Sequence, residues 1–301
     1  MTRRLWLCAL ALLALSISPA AQTPSGATAP AAARYGRNAA VGQYFTHDGI
    51  RLYYEVYGQG EPLLVVHGNG GSIADLAAQI AHFRQRYQVI AMDSRDQGKS
   101  GDSTGALTYE KMADDLAALL DHLKAGSANV LGWSDGGIEA LLLGIRHPAK
   151  VKKIAAMAAN LNPSQDAVHP DVLAAVKGML AEISASAKDT PEGRRELKLT
   201  NLLFDEPHIE LSALEAITAP TLVLAGDHDV IRDEHTVAIY LHLANGQLAI
   251  LPNSTHMVPF DDAALFNATV ERFLRTPFVK RDRVKDLFAS LQKLRTAQAK
   301  K

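Results

Sequence analysis

Five residues, Gly132-Trp133-Ser134-Asp135-Gly136, constrain this chain more than any others. The apolar, β-prone run Ala128-Asn129-Val130-Leu131 leads into them, and the helical run Gly137-Ile138-Glu139-Ala140-Leu141-Leu142-Leu143 leads out. A strand, a sharp turn and a helix therefore meet at Ser134. Glycines flank the serine because a side chain at either position would press on neighbouring backbone. Such a turn exposes the hydroxyl at the carboxyl end of a strand. It also sets it beside a helix N-terminus, whose free N–H groups favour developing negative charge.

The same alternation runs through most of the chain. Residues 43–46 and 50–56 are β-rich runs around His47-Asp48-Gly49, a hairpin signal. Residues 62–66 are continuously apolar, as in a strand covered on both faces, and end in His67-Gly68-Asn69-Gly70-Gly71-Ser72. Ile73, Leu76, Ile80 and Phe83 recur at helical spacing. The next expected strand, 88–92, runs into Asp93-Ser94-Arg95-Asp96-Gln97-Gly98-Lys99-Ser100. An amphipathic helix is expected over 109–123 and a strand over 151–158. The pattern lapses over residues 161–212, which hold helical patches and a charged stretch at 189–198 but no clear strand. It resumes with a strand at 221–225, a helix at 234–243, a strand at 247–251 and a single helix at 261–274. The expectation is an α/β fold with a mostly parallel sheet, helices on both faces and a small helical lid near 161–212. Ligands in such sheets bind beyond the carboxyl ends of the strands.

The 301 residues, 48% of them hydrophobic, suit one sizeable domain, expected at 41–278. A net charge of -1 gives no general reason to expect a nucleic-acid partner. Residues 1–20 read as a signal peptide. Arg3 and Arg4 precede an apolar run of 13 residues at 5–17, and Ser18-Pro19-Ala20 offers a cleavage site. The run is shorter than the ~20 residues a span needs, so it reads as a cleaved signal, with an uncleaved anchor as the alternative, and no integral membrane span is expected after cleavage. The expected location is periplasmic or secreted. The single cysteine, Cys8, lies in this segment, so the mature chain would hold no thiol for a disulfide, a nucleophile or a metal. The Ala-, Pro-, Gly-, Ser- and Thr-rich residues 21–40 read as a flexible tether. Residues 279–301 carry eight Lys or Arg against two Asp, with Val284, Leu287, Leu291 and Leu294 at core-like spacing. They read as a solvated helix packed loosely on the domain, or else as a helix for an anionic surface.

A serine hydroxyl attacks well only when a base takes its proton, and an acid must orient that base. Of the eleven histidines, His256 follows the last expected strand, in Asn253-Ser254-Thr255-His256-Met257. The acid candidates, Asp227 and Asp229, follow the strand before it, in Gly226-Asp227-His228-Asp229. The order serine, acid, histidine matches one known arrangement of such triads. On these landmarks, residues from about 41 to 275 resemble the α/β-hydrolase superfamily. The resemblance implies a catalytic set of Ser134, Asp229 and His256, because the acid of the Gly-x-x-Asp motif is normally its last residue. It also implies an oxyanion hole formed by the N–H groups of Asp135 and Asn69, close approach of substrate at Gly70, and no cofactor or metal. The chain departs from the pattern at Asp96, where the family more often has glycine.

The expected function is hydrolysis of a small-molecule carboxylic ester through an acyl-enzyme. The sequence Gly132-Trp133-Ser134-Asp135-Gly136-Gly137 is similar to the elbow of the valacyclovir hydrolase, or biphenyl-hydrolase-like, esterases. There the acid after the nucleophile favours substrates with a free α-amine. By that resemblance Asp135 would bind an ammonium group, and otherwise it serves the helix dipole. The same triad also suits lactones, thioesters and C–C bonds beside carbonyls. From other classes, a slow-turnover ligand-binding relative or a surface scaffold using the basic helix remain open, as does the oligomeric state. His47, His67, His82 and His228 read as structural, and Trp133 as packing behind the turn.

Overall fold

The computed structural model describes residues 34–186 and 190–298. The expected signal peptide, Cys8 and the tether up to residue 33 lie outside them.

Eight strands form one sheet. They are β1 (Gln43–His47), β2 (Ile50–Tyr57), β3 (Glu61–Val66), β4 (Tyr87–Met92), β5 (Ala128–Trp133), β6 (Val151–Met157), β7 (Thr221–His228) and β8 (Gly246–Thr255). Their order is β1-β2-β4-β3-β5-β6-β7-β8. β1 and β2 pair antiparallel, as do β2 and β4, and every later pairing is parallel. The β1–β2 hairpin closes through Asp48 and Gly49, both at positive φ, which suits the right-handed twist of the strands. The helices are α1 (Ala77–Phe83), α2 (Tyr109–His122), α3 (Asp135–Arg146), α4 (Pro170–Ser186), α5 (Pro191–Asp205), α6 (Asp233–His242), α7 (Val258–Asp261), α8 (Ala263–Arg275) and α9 (Arg283–Gln298).

Alternate residues of the central strands enter two separate apolar layers. Leu64, Val66, Ile90 and Val130 meet Met112 and Leu116 of α2 and Leu141 of α3. Leu63, Val65, Val89 and Leu131 meet Ile80 and Phe83 of α1 and Phe266 and Val270 of α8. This period of two explains why the strands read as unbroken apolar runs. Each such side chain contributes about 1.5–3 kcal/mol by leaving water.

Three expectations change in the structure. The helix expected over 261–274 is α8, beginning two residues later, and a short helix that has no expectation in the sequence, α7, precedes it. Asp262 separates the two with φ −135 and ψ 65, and its carboxylate accepts from the Leu265 N–H as the cap of α8. The tether is expected to reach residue 40, but its described end is bound to the fold. The buried Glu55 carboxylate accepts from the N–H groups of Gly36 and Asn38 and from the hydroxyls of Tyr53 and Tyr57. Residues 191–198, expected only as part of a charged stretch, open α5, whose first turn is capped by the Thr190 hydroxyl and carries Pro191.

Among its described residues the interval 161–212 holds α4 and α5 and no strand. Polar anchors tie it down. Lys198 pairs with Asp96 at 2.8 Å and Arg195 with Asp102 at 2.8 Å. Asp96 stands at φ 60 and is buried, so the position that favours glycine here carries a carboxylate that holds both Lys198 and the Ser103 N–H.

Candidate active site

Ser134 sits between β5 and α3 at φ 57 and ψ −121, a strained conformation for a residue with a side chain. Its N–H donates to Met157 O at 2.9 Å, and its own carbonyl accepts from Gly137 and Ile138, which locks the turn from both sides. The flanking glycines are required by contact. A Cβ on Gly132 would lie 1.9 Å from Gly136 O, and one on Gly136 would lie 2.3 Å from Val66 O.

The residues expected to act with Ser134 are brought to it. Ser134 Oγ lies 3.0 Å from His256 Nε2, and His256 Nδ1 lies 2.7 Å from Asp229 Oδ1. With Nδ1–H donating to the carboxylate, Nε2 is left to accept the serine proton. Asp229 is buried and held in turn by the N–H groups of Gly226 and Ile231. Asp227, the other acid candidate, faces away: its exposed carboxylate accepts from the N–H groups of Asn253 and Ser254 at 2.9 Å. It braces the strand that delivers His256. Trp133 does the same from the other side, because its indole N–H donates to His256 O at 2.8 Å and its ring packs on Phe260. Gly68 makes room for that ring, since a Cβ there would lie 2.8 Å from it.

Asp135 begins α3, where first-turn N–H groups have no partner within the helix. The residue is 2% exposed. Its carboxyl accepts from the Asn69 side-chain amide at 2.9 Å and is also hydrogen-bonded by Tyr109. Burial pushes it up to about 6, against those two hydrogen bonds. Asn69 Nδ2 donates also to Leu199 O of α5 at 3.1 Å, so one amide joins the loop after β3, the start of α3 and the lid. Gly70, at φ 66 with open space around it, forms the exposed tip of that loop. One turn beyond Asp135, Glu139 is fully buried and pushed well above the usual carboxylate range, first by burial and then by the charges of Asp135 and Asp115.

His67 is also buried in this corner. It donates from Nδ1 to Gly68 O and accepts at Nε2 from the Ser94 N–H, and burial pushes its pKa down. It braces the loop, as expected. The roles of Tyr109, Glu139 and the Asn69 side chain do not show in the sequence. Only the i, i+4 spacing of Asp135 and Glu139 hints at a shared helix face. Among the described residues no group of three or more His, Cys, Asp or Glu is placed to hold a metal ion.

Known proteins share this arrangement of elements. Residues 61–196 match the family described as having the alpha/beta hydrolase fold. The chain is 26% identical over 250 residues to the mouse protein named serine hydrolase BPHL, covering 76% of this chain and 84% of that one. It is 27% identical over 258 residues to 3-oxoadipate enol-lactonase 2 of Acinetobacter baylyi, covering 76% and 95%. Among solved structures, an enol-lactonase from Burkholderia xenovorans superposes with a TM-score of 0.65 at 22% identity, covering 78% of this chain and all of that one. An α/β hydrolase enzyme from a deep-sea metagenome library reaches 0.71 at 20% identity over 80% of this chain.

Proposed function

The chain is a hydrolase of the α/β-hydrolase superfamily, and within it we propose a serine esterase that cleaves small carboxylic esters through an acyl-enzyme. One observation carries this reading: the unbroken line from Asp229 through His256 to Ser134, with separations of 2.7 and 3.0 Å. Its three members come from three separate strand ends.

Ser134 Oγ attacks the ester carbonyl carbon as its proton passes to His256 Nε2. Asp229 stabilises the imidazolium that forms and holds the ring in the attacking tautomer. The carbonyl oxygen becomes an oxyanion facing the N–H groups of Asp135 and Asn69. Removal of one such donor typically costs about 2.7–4 kcal/mol of barrier. The C–O bond to the alcohol then breaks, and the alcohol leaves with the proton from Nε2. Water gives a proton to the same nitrogen, attacks the acyl carbon and releases Ser134.

A neutral acyl group fits this corner better than an α-amino one. The Asp135 carboxyl is buried and already accepts from Asn69 and Tyr109, so an ammonium group would have to displace them. A lactone, which is an internal ester, is the second substrate class. The likeness to the Acinetobacter enol-lactonase favours it.

The test is hydrolysis of a short acyl ester by the wild type and by Ser134→Ala, with an acyl-serine adduct at Ser134 sought by mass spectrometry after rapid quench. Loss of turnover together with loss of the adduct supports the reading. Turnover that survives in Ser134→Ala refutes it. On this reading the protein works outside the cytoplasm, and a mature N-terminus at Ala21 is the expected result of sequencing the protein from an envelope fraction.

A further inference from the structure

Helix α9 has an apolar face that the fold does not cover. Val284, Leu287, Phe288, Leu291 and Leu294 are 41% to 64% exposed, and no residue of the helix is buried. At helical spacing these five fall within about a third of the circumference. Their spacing reads as a core face, yet nothing among the described residues packs over them.

The charge beside this face has one sign. Arg281 and Lys285 pair with Asp286 and Asp282, the two acids of the segment. Lys280, Arg283, Lys293 and Arg295 form no ion pair among the described residues. Arg283 borders the apolar stripe and Arg295 lies near its far end, each long enough to carry its charge to the rim. The segment leading into α9 continues the pattern. A groove of about 960 Å³ runs between α6, the β8 edge and residues 276–283. Exposed Leu241 and Leu248 line it together with Phe278, and Arg272, Lys280 and Arg283 stand around it.

We propose that α9 and the groove beside it form a docking surface for an anionic lipid bilayer. The helix lies flat in the interface, with its apolar stripe at the acyl boundary and its unpaired cations among anionic headgroups. A second copy of the chain is the poorer occupant, because pairing two such stripes would bring the cations of both helices to one seam. An anionic surface satisfies the stripe and the charge together.

The experiment is co-sedimentation of the full chain with vesicles of phosphatidylcholine alone and of phosphatidylcholine with one quarter phosphatidylglycerol. Ester hydrolysis in solution serves as the control for folding, since α9 contributes nothing to the Ser134 corner. We expect at least tenfold tighter binding to the anionic vesicles, weakening as salt rises. Leu287→Asp with Phe288→Asp should abolish the difference, and Arg283→Glu with Arg295→Glu should reduce it at least fivefold, all with hydrolysis unchanged. Every variant keeps residues 1–20, so any contribution from that segment cancels. Equal binding to both vesicles, or an anionic preference that neither double variant reduces, overturns the proposal. So does a concentration-dependent dimer that Leu287→Asp with Phe288→Asp dissolves while vesicle binding is absent.

Discussion

The side-chain amide of Asn69 donates to Asp135 Oδ2 at 2.9 Å, which fastens the loop after β3 to the first residue of the nucleophile helix. The two residues proposed to receive the oxyanion thus hold each other in place through their side chains. Asn69→Ala keeps its backbone N–H but loses that link and the one to Leu199 O. The expected result is a kcat about tenfold lower with KM little changed. That is smaller than the 10²–10³-fold loss typical of a missing donor. A buried carboxyl left short of a donor should also cost about 1–3 kcal/mol of stability. Steady-state kinetics and thermal unfolding of the variant check both.

Asp229 and Asp227 make a matched pair for mutagenesis. Asp229→Asn removes the acceptor that fixes the His256 tautomer, and kcat should fall by about 10³–10⁴-fold. Asp227→Asn keeps an acceptor for only one of the Asn253 and Ser254 N–H groups, but this exposed carboxylate lies outside the line from Asp229 to Ser134, and kcat should stay within a few-fold of wild type. The reverse ranking would assign the acid to Asp227.

Asp135 is raised to about 6 in the folded chain, above its unfolded value. Its contribution to stability is therefore complete below the unfolded pKa, near 4, and is lost as pH rises through 6. Asp135→Asn removes this dependence. Relative to wild type, the variant should gain up to about 3 kcal/mol between pH 4 and pH 7. Denaturant unfolding at several pH values reads this out. The same variant decides the amine question. A tenfold selective loss on an α-amino ester, with the neutral ester spared, would show that Asp135 binds the ammonium group.

His235 gives the opposite sign. Its Nε2 accepts from the Leu161 N–H at the start of the lid, and burial lowers it to about 4. The unfolded chain takes up this proton near pH 6.5, before the folded one does. Stability is thus full above pH 6.5 and declines as pH falls toward 4. The limiting slope is about 1.4 kcal/mol per pH unit. His235→Gln, which keeps an acceptor, should lose less thermal stability than wild type between pH 7 and pH 5.

Much of the site is legible in the sequence, for a physical reason. Ser134, Asp229 and His256 each follow an apolar strand run, and a parallel sheet gathers the carboxyl ends of its strands on one side. The choice of Asp229 over Asp227 needs the family resemblance, because two acids two residues apart read alike. The structure separates them by direction: one faces His256, the other the backbone of β8. The short helix α7 does not show in the sequence, because its four residues are too few to carry a helical period, and Asp262 then caps α8.

The sequence by itself determined the alternation of strands and helices, the glycines that Ser134 requires and the order of the chemical groups. These depend on local periodicity and on steric limits within a few residues. Only the tertiary structure decided which polar groups meet. Asn69 links Asp135 to Leu199 O, Lys198 reaches Asp96, and Tyr109 touches the Asp135 carboxyl. It also left the apolar stripe of α9 without a cover, although that stripe has the spacing of a buried helix. Periodicity specifies that a face is apolar, whereas burial requires a second surface, and that depends on how distant segments pack.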